Sequence, residues 1–267
     1  MGEGYVHGYT PEEGQRLHDQ ALALTDLLHF DTLYPVGHKV LEAGCGVGAQ
    51  TVVLAKHSPG ARFVAVDISE ETLLQAKGLA EAKGIGNVQF QLQDINALSF
   101  EDGSFDHVFV CFVLEHMSDP VKTLLELKRV LKDGGTMTVI EGDHGSAYFH
   151  PDSKAARKAI ECQILLQARS GGNANIGRSL YPLMVQAGFT DPYVTPRVIY
   201  ADDSRPALAE GFTRNTFTAM VEGVRHKLAD ETLIDQKTFD QGIRDLHRTA
   251  EPGGTFCYTF FKGQAVK

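Results

Sequence analysis

KVLEAGCGVGAQTVVLA, residues 39–55, opens with a short apolar run at Val40 and Leu41 that ends on Glu42. Gly44, Gly46 and Gly48 follow in alternation, and Thr51 to Ala55 then carries a helical pattern. The order is strand, glycine turn, helix. Glycine permits positive φ and lets the backbone approach a ligand with no Cβ in the way. The helix that follows points unpaired N–H groups at that ligand. Together they predict a cradle for a nucleotide-like molecule at the carboxyl end of a parallel strand. The spacing is G-x-G-x-G and not the dinucleotide pattern G-x-G-x-x-G, because Ala49 stands three residues beyond Gly46. A second apolar run, Phe63 to Val66, ends at Asp67. An acidic residue about 20 positions past such a turn normally holds a ribose hydroxyl pair.

VLEAGCGVG followed by VAVDIS resembles the S-adenosylmethionine (SAM) site of class I methyltransferases. Gln93-Asp94-Ile95 and Leu131-Lys132-Asp133-Gly134-Gly135 match that family's later motifs. The resemblance covers Val36 to Gly142 well, and is closest to the small-molecule branch that includes the ubiquinone and menaquinone methyltransferases. It implies a role for each site residue. Asp67 would take the ribose diol, with Ile68 beside the adenine. Asp94 would accept from the adenine amine, with Ile95 over the ring. Glu42, Gly44, Cys45, Gly46 and Gly48 would follow the methionine part, with the backbone of Cys111 and Phe112 nearby.

The remaining pattern predicts a doubly wound α/β fold. Thr10-Pro11-Glu12-Glu13 reads as a capped helix start with Pro at the first position. The resemblance suggests that residues 1–35 form a lid and helix, with Tyr5, Tyr9 and Gln15 over the cofactor. Strands are expected at Lys39 to Glu42, Arg62 to Val66, Val88 to Leu92, Phe105 to Phe112 and Thr136 to Glu141. A nearly continuous apolar run such as FDHVFVCF belongs to a central strand covered on both faces. Ser69 and Asp119-Pro120 read as helix starts. Beyond Gly142 the family pattern thins. His144 to Tyr148 is polar and glycine-bearing, Ser153 to Ser170 is helical, and Arg178 to Ala187 looks helical despite Pro182. A sixth strand lies around Tyr193 to Tyr200, helices at Leu208 to Leu228 and Lys237 to Thr249, and a last strand at Gly254 to Lys262. The expected whole is one domain, 1–267, with a Rossmann-like, seven-stranded, mostly parallel sheet. The resemblance makes the last strand antiparallel. Helical additions at 143–177 and 204–250 are expected over the C-terminal sheet edge.

Composition narrows the function. The chain has 267 residues, enough to bury a full core, and a net charge of −9. That balance argues against a sequence-independent grip on nucleic acid, which needs concentrated basic surface. Four scattered cysteines, Cys45, Cys111, Cys162 and Cys257, show no CxxC pair and no zinc spacing, so no metal is expected. Reduced, buried thiols fit a cytoplasmic protein. No apolar stretch follows Met1 and no run approaches a membrane span, so neither a signal peptide nor a membrane partner is expected.

The leading reading is a SAM-dependent methyltransferase acting on a small-molecule acceptor, with a homodimer possible. The alternatives are a nicotinamide-dependent oxidoreductase and a non-catalytic SAM-binding protein. Methyl transfer to a good nucleophile needs alignment and exclusion of water. A base is needed only where the acceptor must lose a proton. Glu115, His116, His144 and His150 are expected near the sheet edge, and His116 and His144 are the catalytic candidates. Val113-Leu114-Glu115-His116 stands where amino-methylating DNA enzymes carry an N/D-P-P-Y type motif, which disfavours that branch.

Overall fold

The computed structural model describes residues 24–230 and 233–267. The expected lid residues Tyr5, Tyr9 and Gln15 and the helix start at Thr10 lie outside the described residues. In chain order the elements are α1 (residues 24–29), β1 (Lys39–Ala43), α2 (Ala49–His57), β2 (Arg62–Asp67), α3 (Glu70–Ala82) and β3 (Val88–Leu92). Then come β4 (Phe105–Cys111), α4 (Pro120–Val130), β5 (Leu131–His150), α5 (Lys154–Arg169), α6 (Leu180–Gln186) and β6 (Thr190–Ala201). The last are α7 (Pro206–Leu208), π-helical turns at Ala209–Thr218, α8 (Ala219–Gly223), α9 (Gln236–Arg248) and β7 (Thr255–Val266).

The seven strands form one sheet in the order β3-β2-β1-β4-β5-β7-β6. β1 to β5 pair in parallel. β7 is antiparallel to its neighbours. Lys267 N donates to Gly135 O near the start of β5, while Thr259 N donates to Ser146 Oγ near its end. The chain divides into two compact units. A sheet unit holds Thr25–Gly142, Ile176–Pro196 and Phe261–Lys267. A helical unit holds Leu24, Asp143–Asn175 and Arg197–Phe260 among the described residues. Both segments 143–175 and 204–250 fall in the helical unit.

Register sorts the sheet unit's strands into two faces. Val64, Leu41, Val108 and Met137 form one row, and Val66, Ala43, Val110 and Val139 form the next. All eight belong to one core cluster with Leu124, Leu127 and Val130 of α4 and Leu180 and Met184 of α6. The alternate residues make the opposite face: Phe63, Val40, His107 and Thr136, then Ala65, Glu42, Phe109 and Thr138. Residues 29–38 lie over this second face. The Tyr34 ring packs on Phe63 and His107, and His29 packs on Phe109. His29 Nε2 meets Gln50 Oε1 at 2.5 Å, and burial pushes the His29 pKa down to about 4. Lys262, fully buried, is paired with Asp31 Oδ1 at 2.6 Å and Thr32 Oγ1 at 2.7 Å.

In the helical unit α5 and α9 pack closely. A Cβ at Gly242 would stand 2.6 Å from Ala155 O, so only glycine permits that approach. Ser153 caps α5 by accepting from Ala156 N and donates to Asp245 of α9. Phe149, Phe212, Phe217, Phe256, Tyr258 and Phe260 form a connected set of buried rings.

The strands expected from β1 to β4 agree with the structure to within a residue, and Ser69 and Asp119 cap α3 and α4 as anticipated. Three elements differ most, and the sixth strand begins earlier than expected, at Thr190. The fifth strand, expected at Thr136 to Glu141, continues through the polar GDHGSAYFH stretch to His150. Its side chains lack a strand's apolar run, and β7 supplies the pairing that holds them extended. The helix expected over Leu208 to Leu228 is divided into α7, π-helical turns, α8 and a 3-10 turn at Val224–Asp230. The last strand extends to Val266.

Candidate functional site

The glycine turn has the conformation its sequence demands. Gly44, Gly46 and Gly48 have φ of 77°, 52° and 79°. A Cβ at Gly44 would stand 2.5 Å from Val113 Cγ2, and one at Gly48 would stand 2.8 Å from Ala76 Cβ. A Cβ at Gly46 would meet nothing within 4 Å. Two glycines therefore seat the turn against its neighbours, and the third leaves an open flank. Gly44 N and Cys45 N both donate to Val66 O, which ties the turn to β2.

Asp67 completes that tie. Its Oδ2 accepts from Gly46 N at 2.8 Å, and its Oδ1 accepts from Ser69 N at 3.0 Å and Thr72 Oγ1 at 3.2 Å. A carboxylate offers about four acceptor sites, so it has capacity left for a ligand. Ile68 beside it is 61% exposed, and Leu92, which is paired with Asp67 across β2 and β3, is also exposed. These are two large apolar side chains on one rim. Asp94 is exposed, and its Oδ1 accepts from Asn96 N and Nδ2. Ile95 is only 8% exposed and sits in the core cluster with Leu98 and Val113.

Three acidic side chains lie around the end of β4. Glu42 is 2% exposed, and among the described residues its Oε2 has no hydrogen-bond partner. Burial pushes its pKa up to about 8; the nearby Thr51 hydroxyl opposes the shift and the Asp67 charge adds to it. Glu141 in β5 is fully buried, and its Oε1 accepts from Val113 N at 3.0 Å and Leu114 N at 2.7 Å. Burial, and then the Glu115 charge, hold its carboxyl well above the usual carboxylate range. The Cys111 thiol is pushed well up by burial, and next by Glu141, Glu42 and Glu115. Cys45 is raised by burial and then by Glu42. Neither thiol is built as a nucleophile. Phe112 takes φ of 58°, rare for a bulky residue, and donates its N–H to Ile140 O at 2.9 Å. Such backbone outliers concentrate at functional sites. His116 Nε2 stands 3.6 Å from Glu115 Oε1, so the candidate imidazole has an acidic neighbour.

His144 belongs to the helical unit. It is buried within β5, its N–H donates to Ala174 O, and its Nδ1 lies 2.7 Å from the Tyr258 hydroxyl. Its ring packs edge-on against Phe217. The glycine-bearing sequence around it, where the family pattern thins, is a strand. His150, at the end of the same strand, is exposed.

Glu141 is the residue that sequence reasoning passed over as a mere strand end. A signal was present: Val139-Ile140-Glu141-Gly142 is similar to Val40-Leu41-Glu42-Ala43-Gly44, an apolar run followed by an acid within two residues of a glycine. Among the described residues no group of three or more His, Cys, Asp or Glu could hold a metal ion, and no helix is long and apolar enough to cross a membrane.

Residues 36–188 match a family model described as a methyltransferase domain. The chain is 34% identical over 205 residues to an uncharacterized 37.1 kDa protein in a transposon of Streptomyces fradiae, covering 74% of this chain and 57% of that one. It is 33% identical over 246 residues to an uncharacterized methyltransferase of Schizosaccharomyces pombe, covering 85% of this chain and 83% of that one. A demethylmenaquinone methyltransferase of Thermus thermophilus is 38% identical over 44% of this chain, which spans half of that protein's length. Among solved structures the YcgJ protein of Bacillus subtilis aligns over 94% of this chain and 98% of its own, with a TM-score of 0.56 at 19% identity.

Proposed function

The chain belongs to the class I SAM-dependent methyltransferases, and on that premise we propose that it transfers a methyl group from SAM to a small-molecule acceptor. When bound, SAM supplies an activated methyl on a sulfonium cation. The residues present fit such a molecule. The open flank at Gly46 leaves room beside the backbone, exposed Ile68 offers a face to a planar base, and the orphaned Glu42 Oε2 awaits a donor.

In this reading Asp67 accepts from the ribose hydroxyls while holding Gly46. Asp94 accepts from the adenine amine, with Ile68 packed on the ring and Ile95 supporting that rim from the core. Glu42, Gly44, Cys45, Gly46 and Gly48 border the methionine part, beside the backbone of Cys111 and Phe112. Buried acids around the end of β4 favour a cation there, since a buried carboxyl regains its charge most easily beside one. Acceptor alignment and exclusion of water supply the rate, and His116 or His144 takes a proton where the acceptor must lose one. A small molecule is supported by the chain's net charge of −9 and by the acceptor that names the Thermus thermophilus relative. Four free thiols suit a reducing, cytoplasmic setting.

The observation that carries this reading is the Gly46 N–H to Asp67 Oδ2 bond, which locks glycine turn and acid into one binding edge. Calorimetry with SAM and NADH separately tests it. Binding of SAM alone is expected. Binding of NADH in its place would sink the proposal.

A further inference from the structure

β4 ends in a turn that leads straight to Glu115 and His116. Phe112 donates its N–H to Ile140 O at 2.9 Å and, with φ of 58°, takes the chain out of the strand. A 3-10 turn, Leu114–His116, follows. His116 N donates to Val113 O and Met117 N donates to Leu114 O, each at 3.0 Å. The first N–H groups of a helical turn have no partner within it. A serine, threonine, asparagine or aspartate at the cap position usually supplies one. Here that position is Val113, whose side chain has no polar atom. The acceptor comes instead from the next strand: Glu141 Oε1 accepts from both Val113 N and Leu114 N.

Both ends of this tie are held. A Cβ at Gly177 would stand 2.9 Å from Glu141 O and 2.8 Å from Gly142 O, so the turn Ile176–Ser179 presses on the β5 backbone at this point. Val113 lies in the core cluster, and its Cγ2 fills the space where Gly44 lacks a Cβ. Close-packed groups transmit displacement, so the glycine turn shifts when Val113 shifts. A continuous line of contacts therefore runs from Glu141 through Val113 to Gly44, all inside the sheet unit. A carboxyl that keeps its proton accepts through its carbonyl oxygen, which matches two amides bonding one oxygen of Glu141. A glutamine amide presents the same oxygen.

We propose that Glu141 is a positioning residue for the cofactor: by capping the β4 exit it fixes Val113 against Gly44, and so sets the shape of the glycine turn that SAM lies along. The inference rests on the methyltransferase reading. Glu141 acts through Val113 and not by contact with SAM. What the role needs is an acceptor oxygen at the place of Glu141 Oε1, and not a charge.

The test measures SAM affinity by calorimetry, and melting temperature by circular dichroism, on the full chain. Glu141→Gln keeps the acceptor oxygen and should bind SAM within about threefold of the parent. Glu141→Leu removes it and should bind about tenfold more weakly, because two buried N–H groups must then find other partners. Val113→Ala opens the space beside Gly44 and should also weaken SAM about tenfold. Independent losses would multiply to about a hundredfold in Glu141→Leu/Val113→Ala. If Glu141 acts through Val113, the double variant stays within about threefold of the weaker single one. Should the Leu variants not fold, Glu141→Asp, which draws the carboxyl back by about 1.5 Å, takes their place in the single and double forms with the same expectations. Unchanged SAM affinity without the oxygen, a Gln variant as weak as the Leu or Asp variant, or multiplied losses in the double variant overturns the proposal. So does a lowered melting temperature with SAM affinity intact, since Glu141 would then serve the fold alone. A parent that does not bind SAM refutes the methyltransferase reading, whereas a parent that binds it beside variants that miss these expectations refutes only the role of Glu141.

Discussion

The two faces of the sheet in the sheet unit come from alternate residues of the same strands, yet they are built of different materials. One face is Leu41, Ala43, Val64, Val66, Val108, Val110, Met137 and Val139, all aliphatic and all in the main core. The other carries Glu42, His107, Thr136 and Thr138 among its apolar residues and is overlaid by Tyr34 and His29. Aliphatic burial contributes stability that hardly depends on pH. A buried acid such as Glu42 subtracts from stability wherever the unfolded chain would ionise it. The burial of the first face therefore offsets the cost of the buried acid on the second.

The largest expected effect breaks the comparison on its apolar side. Leu41→Ala should cost about 2–5 kcal/mol of unfolding free energy by urea titration, from lost burial and the cavity left behind. SAM affinity of the folded fraction should be retained. A loss below about 1 kcal/mol would mean that this face is not the principal core.

Glu42→Gln probes the other side and should move stability in the opposite direction. In the folded chain the Glu42 carboxyl keeps its proton up to about pH 8, against an ordinary value of 4.5. Between those values the folded state holds more protons than the unfolded state, so the parent loses stability as pH rises through that window and levels off above it. The Gln variant lacks that slope. It should match the parent near pH 4.5 and exceed it near pH 8 by on the order of 2–4 kcal/mol, while binding SAM more weakly. Urea titrations across pH decide. An unchanged slope in the variant would show that Glu42 is not the titrating group.

Asp67→Asn acts at the end of β2, where the carboxylate holds the glycine turn. SAM affinity should fall by about 1.5–3 kcal/mol, the worth of a charge-assisted hydrogen bond, measured by calorimetry. Stability should fall by about 1 kcal/mol as well, because Asp67 also braces Gly46, Ser69 and Thr72. Equal SAM affinity in parent and variant would place the ribose elsewhere.

The smallest effect sharpens the contrast between frame and site. Ser69→Ala removes the cap of α3, whose hydroxyl accepts from Thr72 N at 3.3 Å, and should cost about 1 kcal/mol of stability. SAM affinity should change by no more than a few tenths of a kcal/mol, because the serine acts on the helix end. A large loss of SAM binding would make Ser69 a ligand contact.

Legibility followed the range of the interactions involved. β1, β2 and β4 could be read because parallel strands covered on both faces leave apolar runs in one segment of sequence, and β3, at the sheet edge, because its VQFQL alternates. The caps at Ser69 and Asp119 could be read because a cap and its partner stand three residues apart. The glycine turn was legible for the same reason. Two site residues resisted. Ile95 follows an acidic loop residue, and nothing local says that its side chain packs into the core. His144 sits among glycines, and its strand conformation depends on β7, more than a hundred residues further on.

By itself, then, the sequence determined what hydrophobic period, glycine φ and capping chemistry determine: the strand–turn–helix order, the glycine turn at Gly44 to Gly48, and the helix starts at Ser69 and Asp119. Tertiary structure alone decided that β5 runs on to His150, that Ala209–Thr218 winds as a π-helix, and that Glu42 and Glu141 hold protons beyond the usual carboxylate range. Strand extension needs a partner strand from far along the chain. π-winding needs neighbours, such as Phe256 and Tyr258, for the residues it realigns. A proton affinity is set by the burial and charges around a group, and those are properties of packing in three dimensions.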